Sequence, residues 1–239
     1  APIDDTFISM PVLHASTHSS VILNSNNGLL TTGIHAREWI APTTALYTIH
    51  SLLQVLVANS KDDVRTNVTY LIMPMLNPDG YEYSRTHQRL WRKNRRRPPL
   101  LGDDDNECFG VDLNRNFDVI GFGVGASNQS CSDNYSGPFA ASEPEVKAAA
   151  GVVMRHRNNI RVSLSLHSYG ILLFIVYFDI ITLSGSQEKV ADFRGFTTQP
   201  AMDNDKLIDL GRWASEAMKS VNGREYEVEA AGAMYPAGR

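Results

Sequence analysis

Apolar positions in the first third of the chain change from strand-like to helix-like spacing and back. Residues 29–34 form a short apolar run that stops at His35, where polar side chains begin, so this run predicts a buried strand. A helix is predicted next, because Pro42 lies near its first turn and leucines and isoleucines recur behind it at helical spacing. Residues 69–73 alternate as a second strand, and residues 77–80 read as a turn.

The second half of the chain repeats this order after a long irregular region. Residues 81–139 show little periodicity and predict a long loop, which in compact domains is usually functional. A capping-box pattern opens a predicted helix over residues 142–157, and residues 162–166 then alternate as a strand that ends at His167. A last amphipathic helix is predicted over residues 205–223.

This alternation of strands and helices predicts an α/β fold. We expect a mixed, largely parallel twisted sheet with helices on both faces. The chain has 239 residues, which suits one large domain, so residues 1–239 are predicted to form a single domain.

Composition and charge narrow the class of protein. Hydrophobic residues make up 43% and charged residues 20% of the chain, the balance of a globular enzyme and not of a disordered chain. The net charge of -4 gives no general attraction for nucleic acid or an anionic membrane. No uninterrupted apolar run approaches the ~20 residues that span a bilayer, and the start of the chain reads as mature or trimmed.

Cysteines and glycosylation sequons bear on the compartment. Cys108 and Cys131 are the two cysteines, and their number allows either one disulfide or two reduced thiols. Sequons begin at Asn67, Asn128 and Asn134, and they favour a secreted protein.

A candidate metal site is formed by residues that follow two predicted strands. His35 and Glu38 share an HxxE spacing at the end of the first strand, and His167 follows a later strand that is also predicted to be buried. The C-terminal ends of parallel strands meet at one edge of a sheet, where two imidazoles and a carboxylate suit Zn²⁺ and leave a fourth position open, as in catalytic zinc sites. The alternative is that HxxE arises by chance and that His167 is a core histidine.

Six strings in the chain are distinctive when taken together. They are Gly33-Ile-His-Ala-Arg-Glu-Trp-Ile40, Asn77-Pro-Asp-Gly80, Arg89-Leu-Trp-Arg-Lys-Asn-Arg95, Gly110-Val-Asp-Leu-Asn-Arg-Asn-Phe117, Leu166-His-Ser-Tyr169 and Met234-Tyr-Pro-Ala237. In this order they resemble the zinc metallocarboxypeptidases of the pancreatic carboxypeptidase A and B type. The resemblance covers about residues 33–238, and the HxxE, DxNRN and HSY motifs are the most specific part of it.

The resemblance implies hydrolysis of the C-terminal peptide bond of proteins and peptides and assigns a role to each matching residue. It makes His35, Glu38 and His167 the ligands of one Zn²⁺, and it makes Arg92 the group that polarises the scissile carbonyl. Asn114 and Arg115 would bind the terminal carboxylate, Tyr235 would cap the bound residue, Arg37 and Tyr169 would line the neighbouring subsite, and Cys108 and Cys131 would form a disulfide. Without the surrounding strings, Arg92 would read as part of a solvated basic loop and Tyr235 as a surface tyrosine. The basic stretch 95–97 and the acidic run 103–105 are expected to be solvated charge.

The resemblance also implies partners and leaves questions open. Expected partners are peptide or protein C-termini, a propeptide or a protein inhibitor, with no nucleic acid or membrane, and the protein is expected to be a secreted monomer. The family carries more chain before HxxE, and its general-base glutamate and the residue that separates A-type from B-type specificity would follow Arg239. Two alternatives are a non-catalytic binder of peptide C-termini and a zinc amidohydrolase acting on small acylated amino acids.

Overall fold

The structure is a computed structural model that forms two compact units. The first unit comprises Ala1–Asp118 and Ala126–Ser168, and the second comprises Val119–Gly125 and Tyr169–Arg239. The single-domain organisation stays a prediction. The residues that the structure describes are 13–15, 26–58, 68–97, 108–118, 122–123, 125–169, 172–175 and 204–230.

A four-stranded sheet is the scaffold of the first unit. Its strands are β1 (Leu13–Ala15), β2 (Asn26–Thr32), β3 (Val68–Met73) and β4 (Ile160–Leu166), in the order β1-β3-β2-β4. β2 pairs in parallel with β3 and with β4, whereas β1 is antiparallel to β3. The prediction of a mixed, largely parallel sheet is confirmed.

The predicted helix after the first strand is also present. The chain leaves β2 through Gly33, whose φ of +70° is in the left-handed region that glycine tolerates, and helix α1 then runs over Ile40–Ala58. Ala41, Pro42 and Ala45 are its buried residues.

Helix α1 changes one expectation from the sequence. It contains no Asp, Glu, Lys or Arg, and by length (19 residues) and composition (mean hydropathy 1.3) it could cross a membrane. The sequence of α1 contains no long uninterrupted apolar run, because threonines, a histidine and a glutamine lie between its apolar residues. One such helix is weak evidence for a membrane span, since helices of soluble proteins also meet these two criteria.

Two predictions of local structure in the region after β3 are wrong. Residues 77–80 are not a free turn but the start of helix α2 (Pro78–Thr86), because the side chain of Asn77 accepts a hydrogen bond from the backbone N–H of Gly80 and caps the helix. A 3₁₀ turn at Leu113–Arg115 also interrupts the region predicted as loop. Asn-Pro-Asp-Gly fits a helix start as well as a turn.

The predicted helix at residue 142 exists, but it is not capped as predicted. Helix α3 spans Pro144–His156 with Glu143 at the N-cap position, and no side chain caps it. The Ser142 hydroxyl instead donates to the Glu143 carboxylate at 2.6 Å. The capping box is lost because this serine serves a buried side-chain network.

The core of the first unit lies where β2 and β3 meet α3. In strand β4, Ile160 is buried but Val162 and Leu164 are 39% and 49% exposed, so the expectation of a buried strand before His167 is wrong within the described residues. β4 lies at the end of the described sheet, which leaves its side chains uncovered there. The buried core residues are Leu29, Ile34, Leu71, Met73, Leu76, Leu113, Val146, Ala149 and Ile160.

The described part of the second unit contains a parallel strand pair and one helix. Strands β5 (Leu172–Ile175) and β6 (Glu227–Ala230) pair in parallel, and helix α4 spans Asn204–Asn222 as predicted. The Ser215 hydroxyl donates to the Tyr226 carbonyl at 2.7 Å, which ties α4 to the segment before β6. Trp213 of this helix is 68% exposed.

Candidate metal centre

Three side chains of the first unit converge within hydrogen-bonding distance of one another. Glu38 Oε1 lies 2.7 Å from His35 Nδ1, and Glu38 Oε2 lies 3.0 Å from His167 Nδ1. The two Nδ1 atoms are 3.2 Å apart. His35 and Glu38 are buried, whereas His167 is exposed.

Protons alone satisfy this arrangement poorly, and a cation fits it. If each Nδ1 carries a proton for the carboxylate, the two N–H groups face each other at 3.2 Å, whereas a metal ion would accept a lone pair from all three side chains. Tetrahedral ligand atoms about 2.0–2.1 Å from zinc lie roughly 3.3 Å apart. The three separations of 2.7–3.2 Å are close to that value, so the donor set fits Zn²⁺.

The parallel sheet brings the three residues together. β2 and β4 are neighbours, and Thr32, at the end of β2, pairs with Leu166, so His167 follows the strand residue opposite Thr32. His35 and Glu38 lie on the turn between β2 and α1, where the backbone N–H of Glu38 donates to the His35 carbonyl at 3.2 Å. Two parallel strands that end at the same edge therefore deliver all three donors.

The carboxylate of Glu38 is held ionised. Burial alone would raise its pKa, but hydrogen bonds from His167 and His35 and the electrostatic interactions with these two side chains lower the pKa of Glu38 to about 2. An ionised carboxylate is the form that binds a metal.

Asp112 is a residue of the centre that the sequence analysis did not single out. It is fully buried, and its Oδ2 accepts hydrogen bonds from Arg92 Nε at 3.0 Å and from an Arg92 terminal nitrogen (NH2) at 2.9 Å. Its Oδ1 accepts from the backbone N–H of Asn114 at 3.0 Å and lies 3.4 Å from His35 Nε2. Asp112 therefore faces the nitrogen of His35 that points away from the candidate metal position, as carboxylates behind metal-binding histidines do.

The surroundings of Asp112 keep its carboxylate ionised although it is buried. Burial would raise the pKa of Asp112, but the contact with His35 and the nearby positive charges of Arg92 and Arg115 hold it below its ordinary value. Asp112 belongs to the string Val-Asp-Leu-Asn-Arg. The sequence signal that could have identified it is an acidic residue two positions before Asn114 and three before Arg115, the candidate carboxylate-binding residues.

Asn77 holds the segments around the centre together. Its fully buried side chain donates to the carbonyls of Ile34, at 3.2 Å, and Lys93, at 3.0 Å, while it caps α2. The turn that carries His35 is thus fixed to the loop that carries Arg92, and the backbone N–H of Ala36 adds a bond to the Arg92 carbonyl at 3.0 Å.

A model of the family described as zinc carboxypeptidase matches residues 9–239. The chain belongs to the zinc carboxypeptidase family. It is 38% identical to carboxypeptidase B of Astacus astacus over 199 residues, which are 82% of this chain and 57% of that protein. It is 36% identical to carboxypeptidase O of Bos taurus over 197 residues, which are 82% of this chain and 47% of that protein.

Solved structures of zinc carboxypeptidases share the fold. Carboxypeptidase A of Helicoverpa armigera superposes with a TM-score of 0.74 at 29% identity, over 92% of this chain and 48% of that one. Bovine thrombin-activatable fibrinolysis inhibitor in complex with tick carboxypeptidase inhibitor gives a TM-score of 0.70 at 32% identity, over 93% and 64%. The chain spans about half the length of the relatives it matches.

In this zinc carboxypeptidase chain, the two expected carboxylate-binding residues adjoin Asp112. Asn114 is exposed, and Arg115 donates to its neighbour's carbonyl at 2.9 Å. Both belong to the 3₁₀ turn whose N-cap is Asp112, which explains why one short string carries an acid, an amide and a guanidinium with different surroundings.

The other three expected substrate-binding residues of the zinc carboxypeptidase chain lie in different parts of it. Arg37, between two candidate ligands, donates to the Leu90 carbonyl at 3.2 Å and to Asp133 Oδ2 at 3.1 Å. Tyr169 belongs to the second unit and is fully exposed. Tyr235 lies outside the described residues.

Cys108 and Cys131 form a disulfide, so the pairing implied by the resemblance to zinc carboxypeptidases is confirmed. The stretch that it encloses carries the sequon at Asn128, and the sequon at Asn134 follows Cys131. Asn128 is exposed, and Asn134 is partly buried and accepts a hydrogen bond from Ser132 at 2.6 Å. Asn67 lies outside the described residues.

The basic stretch of the zinc carboxypeptidase chain is not the solvated charge that we expected. The Arg95 guanidinium lies over the rings of Tyr83 and Trp91, at 3.6 and 4.7 Å from their centroids, and Arg96 forms an ion pair with buried Glu143 at 2.9 Å. These contacts fix the loop that carries Arg92. The acidic run 103–105 lies outside the described residues.

Proposed function

We propose that this chain binds one Zn²⁺ per molecule through His35, Glu38 and His167. We further propose that the whole protein uses it to hydrolyse the C-terminal peptide bond of proteins and peptides. The single observation that carries the proposal is the convergence of two Nδ1 atoms and one carboxylate within 3.2 Å. Family membership supports the metal, because the family is zinc-dependent. With three protein donors, a tetrahedral ion keeps one position for a reactant, as catalytic zinc sites do.

The chemistry divides between the metal and the side chains around it. When bound, zinc polarises a carbonyl and lowers the pKa of a coordinated water. Arg92 donates hydrogen bonds to the scissile carbonyl oxygen as negative charge develops there, and Asp112 orients Arg92. Asn114 and Arg115 bind the terminal carboxylate, which restricts cleavage to the last residue. On the resemblance alone, we also propose roles for Arg37 and Tyr169 at the neighbouring subsite and for Tyr235 in capping the bound residue.

Metal content tests the first half of the proposal. We expect atomic absorption to find about one zinc per folded molecule and His167→Ala to lose most of it, because two donors seldom hold catalytic zinc. His50→Ala is the matched control, since this exposed histidine of α1 lies outside the centre and bonds Gln54. A zinc content far below one in folded wild type would refute the ligand set.

Peptide pairs that differ only in a free or amidated C-terminus test the second half. We expect the free acid to be cleaved at least tenfold faster, and Arg115→Gln to remove this difference, since a bidentate charged contact is lost. Arg155→Gln, at an exposed arginine of α3, is the control. Equal cleavage of acid and amide would contradict the role of Arg115.

The same experiment separates the two alternative functions. A protein that binds the free-acid peptide without cutting it is a non-catalytic receptor for C-termini. A protein that cuts only short acylated amino acids is an amidohydrolase. Loss of activity with increasing peptide length therefore distinguishes the amidohydrolase from the carboxypeptidase.

Partners and compartment follow from the proposed activity. We propose a secreted monomer, which the disulfide supports, because disulfides persist in oxidising compartments. A protein inhibitor or a propeptide is a further proposed partner, supported by the relative that was solved in complex with a tick carboxypeptidase inhibitor. No nucleic acid or membrane partner is proposed.

A further inference from the structure

Arg37 has a carboxylate partner at the edge of the metal centre. It lies between His35 and Glu38 in the chain, so its backbone cannot move independently of the candidate ligands. Its guanidinium bonds the Leu90 carbonyl at 3.2 Å and Asp133 Oδ2 at 3.1 Å. The side chains of Arg37 and Asp133 are 34% and 66% exposed, so a ligand can reach both.

The backbone that carries Asp133 is anchored on both sides. Cys131 is tied by its disulfide to Cys108. On the other side, the Tyr135 carbonyl accepts a hydrogen bond from the backbone N–H of Asp112 at 2.9 Å. The carboxylate is therefore held in place beside the centre and is not a mobile loop charge.

A second cation interacts with the same carboxylate. Lys93 is almost fully buried, and its Nζ donates to the Ser130 carbonyl at 2.5 Å. The charges of Asp133 and Asp112 both favour the protonated form of Lys93. Asp133 therefore pairs directly with Arg37 and contributes, with Asp112, to balancing the charge of Lys93.

This arrangement has a consequence for charged ligands. Without Asp133, the partly exposed guanidinium of Arg37 would lose its carboxylate partner next to the candidate metal centre and would attract acidic side chains. With Asp133 present, acidic side chains meet a carboxylate beside Arg37, and basic side chains gain a partner. The contact is partly exposed, so it adjusts preference and does not abolish binding.

We propose that Asp133 is a specificity-determining residue, which shifts the preference of the site toward basic and away from acidic substrate residues just upstream of the scissile bond. The inference rests on the proposed function. It concerns the peptide residues that precede the cleaved one and is separate from the A-type or B-type choice of the terminal residue.

Three peptides test the proposal on the full-length protein. They share the terminal residue and differ in having Glu, Gln or Lys immediately before the scissile bond. We expect Asp133→Asn to raise the Glu-to-Lys ratio of kcat/KM about fivefold, because two partly exposed charge contacts change in opposite directions and each is worth roughly two- to threefold. Asp133→Glu should return the ratio toward wild type, and 0.5 M salt should reduce the difference.

The control is Glu82→Gln, which removes one exposed negative charge from the same unit, where Glu82 pairs with Arg85 on α2 and not with Arg37. An unchanged ratio in Asp133→Asn, or an equal shift in Glu82→Gln, would overturn the proposal. If wild type binds the peptides without cutting them, the same ratio of dissociation constants tests Asp133 while the proposed hydrolysis fails. If none of the peptides binds, both fail.

Discussion

Replacing Asp112 by Asn is expected to perturb the candidate metal centre without replacing any of its three candidate ligands. The substitution keeps the shape of the side chain but gives it one acceptor and one donor end. In the wild type, Oδ2 accepts from Arg92 and Oδ1 faces His35 Nε2 and the N–H of Asn114. Whichever way the amide turns, its NH₂ group faces a donor, so at least one buried contact becomes donor against donor.

The magnitude follows from what is left uncompensated. Arg92 is only 15% exposed at its side chain and loses its ion-pair partner, which for a buried pair costs about 3 kcal/mol of stability. Loss of the carboxylate behind a metal-binding histidine typically weakens metal binding about 10- to 100-fold. We therefore expect Asp112→Asn to bind Zn²⁺ at least tenfold more weakly than wild type and to be measurably less stable.

Competition with a chromophoric chelator measures the zinc affinity, and urea unfolding of the metal-free protein measures stability. Asp118→Asn is the matched control, because Asp118 follows the same string but is exposed. Zinc affinity within twofold of wild type in a folded Asp112→Asn protein would refute the role given to Asp112. Equal weakening in Asp118→Asn would show that only net charge matters.

Two further predictions concern buried positions around the centre. Burial lowers the pKa of Lys93 to about 8 from 10.5, so the unfolded chain binds more protons between these values and the unfolding free energy should rise with pH across this window, by up to about 3 kcal/mol. Urea unfolding at pH 7.5 to 10.5 should show this rise in wild type and in Lys147→Met, the control at an exposed site. If the rise persisted in Lys93→Met, Lys93 would not be its cause. Gly110→Ala should cost about 2 kcal/mol more than Gly123→Ala, because both positions have positive φ but only the first would press its Cβ into the carbonyl of Asn94. Equal losses in thermal unfolding would contradict the close approach.

The sequence predicted elements best where one periodic pattern decided the structure. The strand before His35, helix α1 and helix α4 were predicted because each is a clear apolar pattern with a recognisable end. The start of α2 was misread because Asn77-Pro-Asp-Gly satisfies both turn and helix-cap geometry, and only the bond from Gly80 N–H to the Asn77 side chain decides between them. The burial of β4 was wrongly predicted because the alternation of apolar and polar residues assigns side chains to two faces of a strand but does not show what covers either face.

The basic stretch shows the same limit for charge. Arg95 and Arg96 were expected in solvent because runs of charge usually are, yet they contact aromatic rings and a buried carboxylate. These partners lie on other segments of the chain, so no local pattern identifies them.

The sequence by itself determined the donor types of the candidate metal centre, the strands that carry them and the family to which the chain belongs. These depend on residue identity and short-range spacing, which the sequence states directly. Only the tertiary structure decided how those residues are held. The pairing of β2 with β4 brings His167 to His35, Asp112 links His35 to Arg92, and Asp133 reaches Arg37. Each link joins segments distant in the chain, and its energy depends on distance and burial, which arise only when the chain is folded.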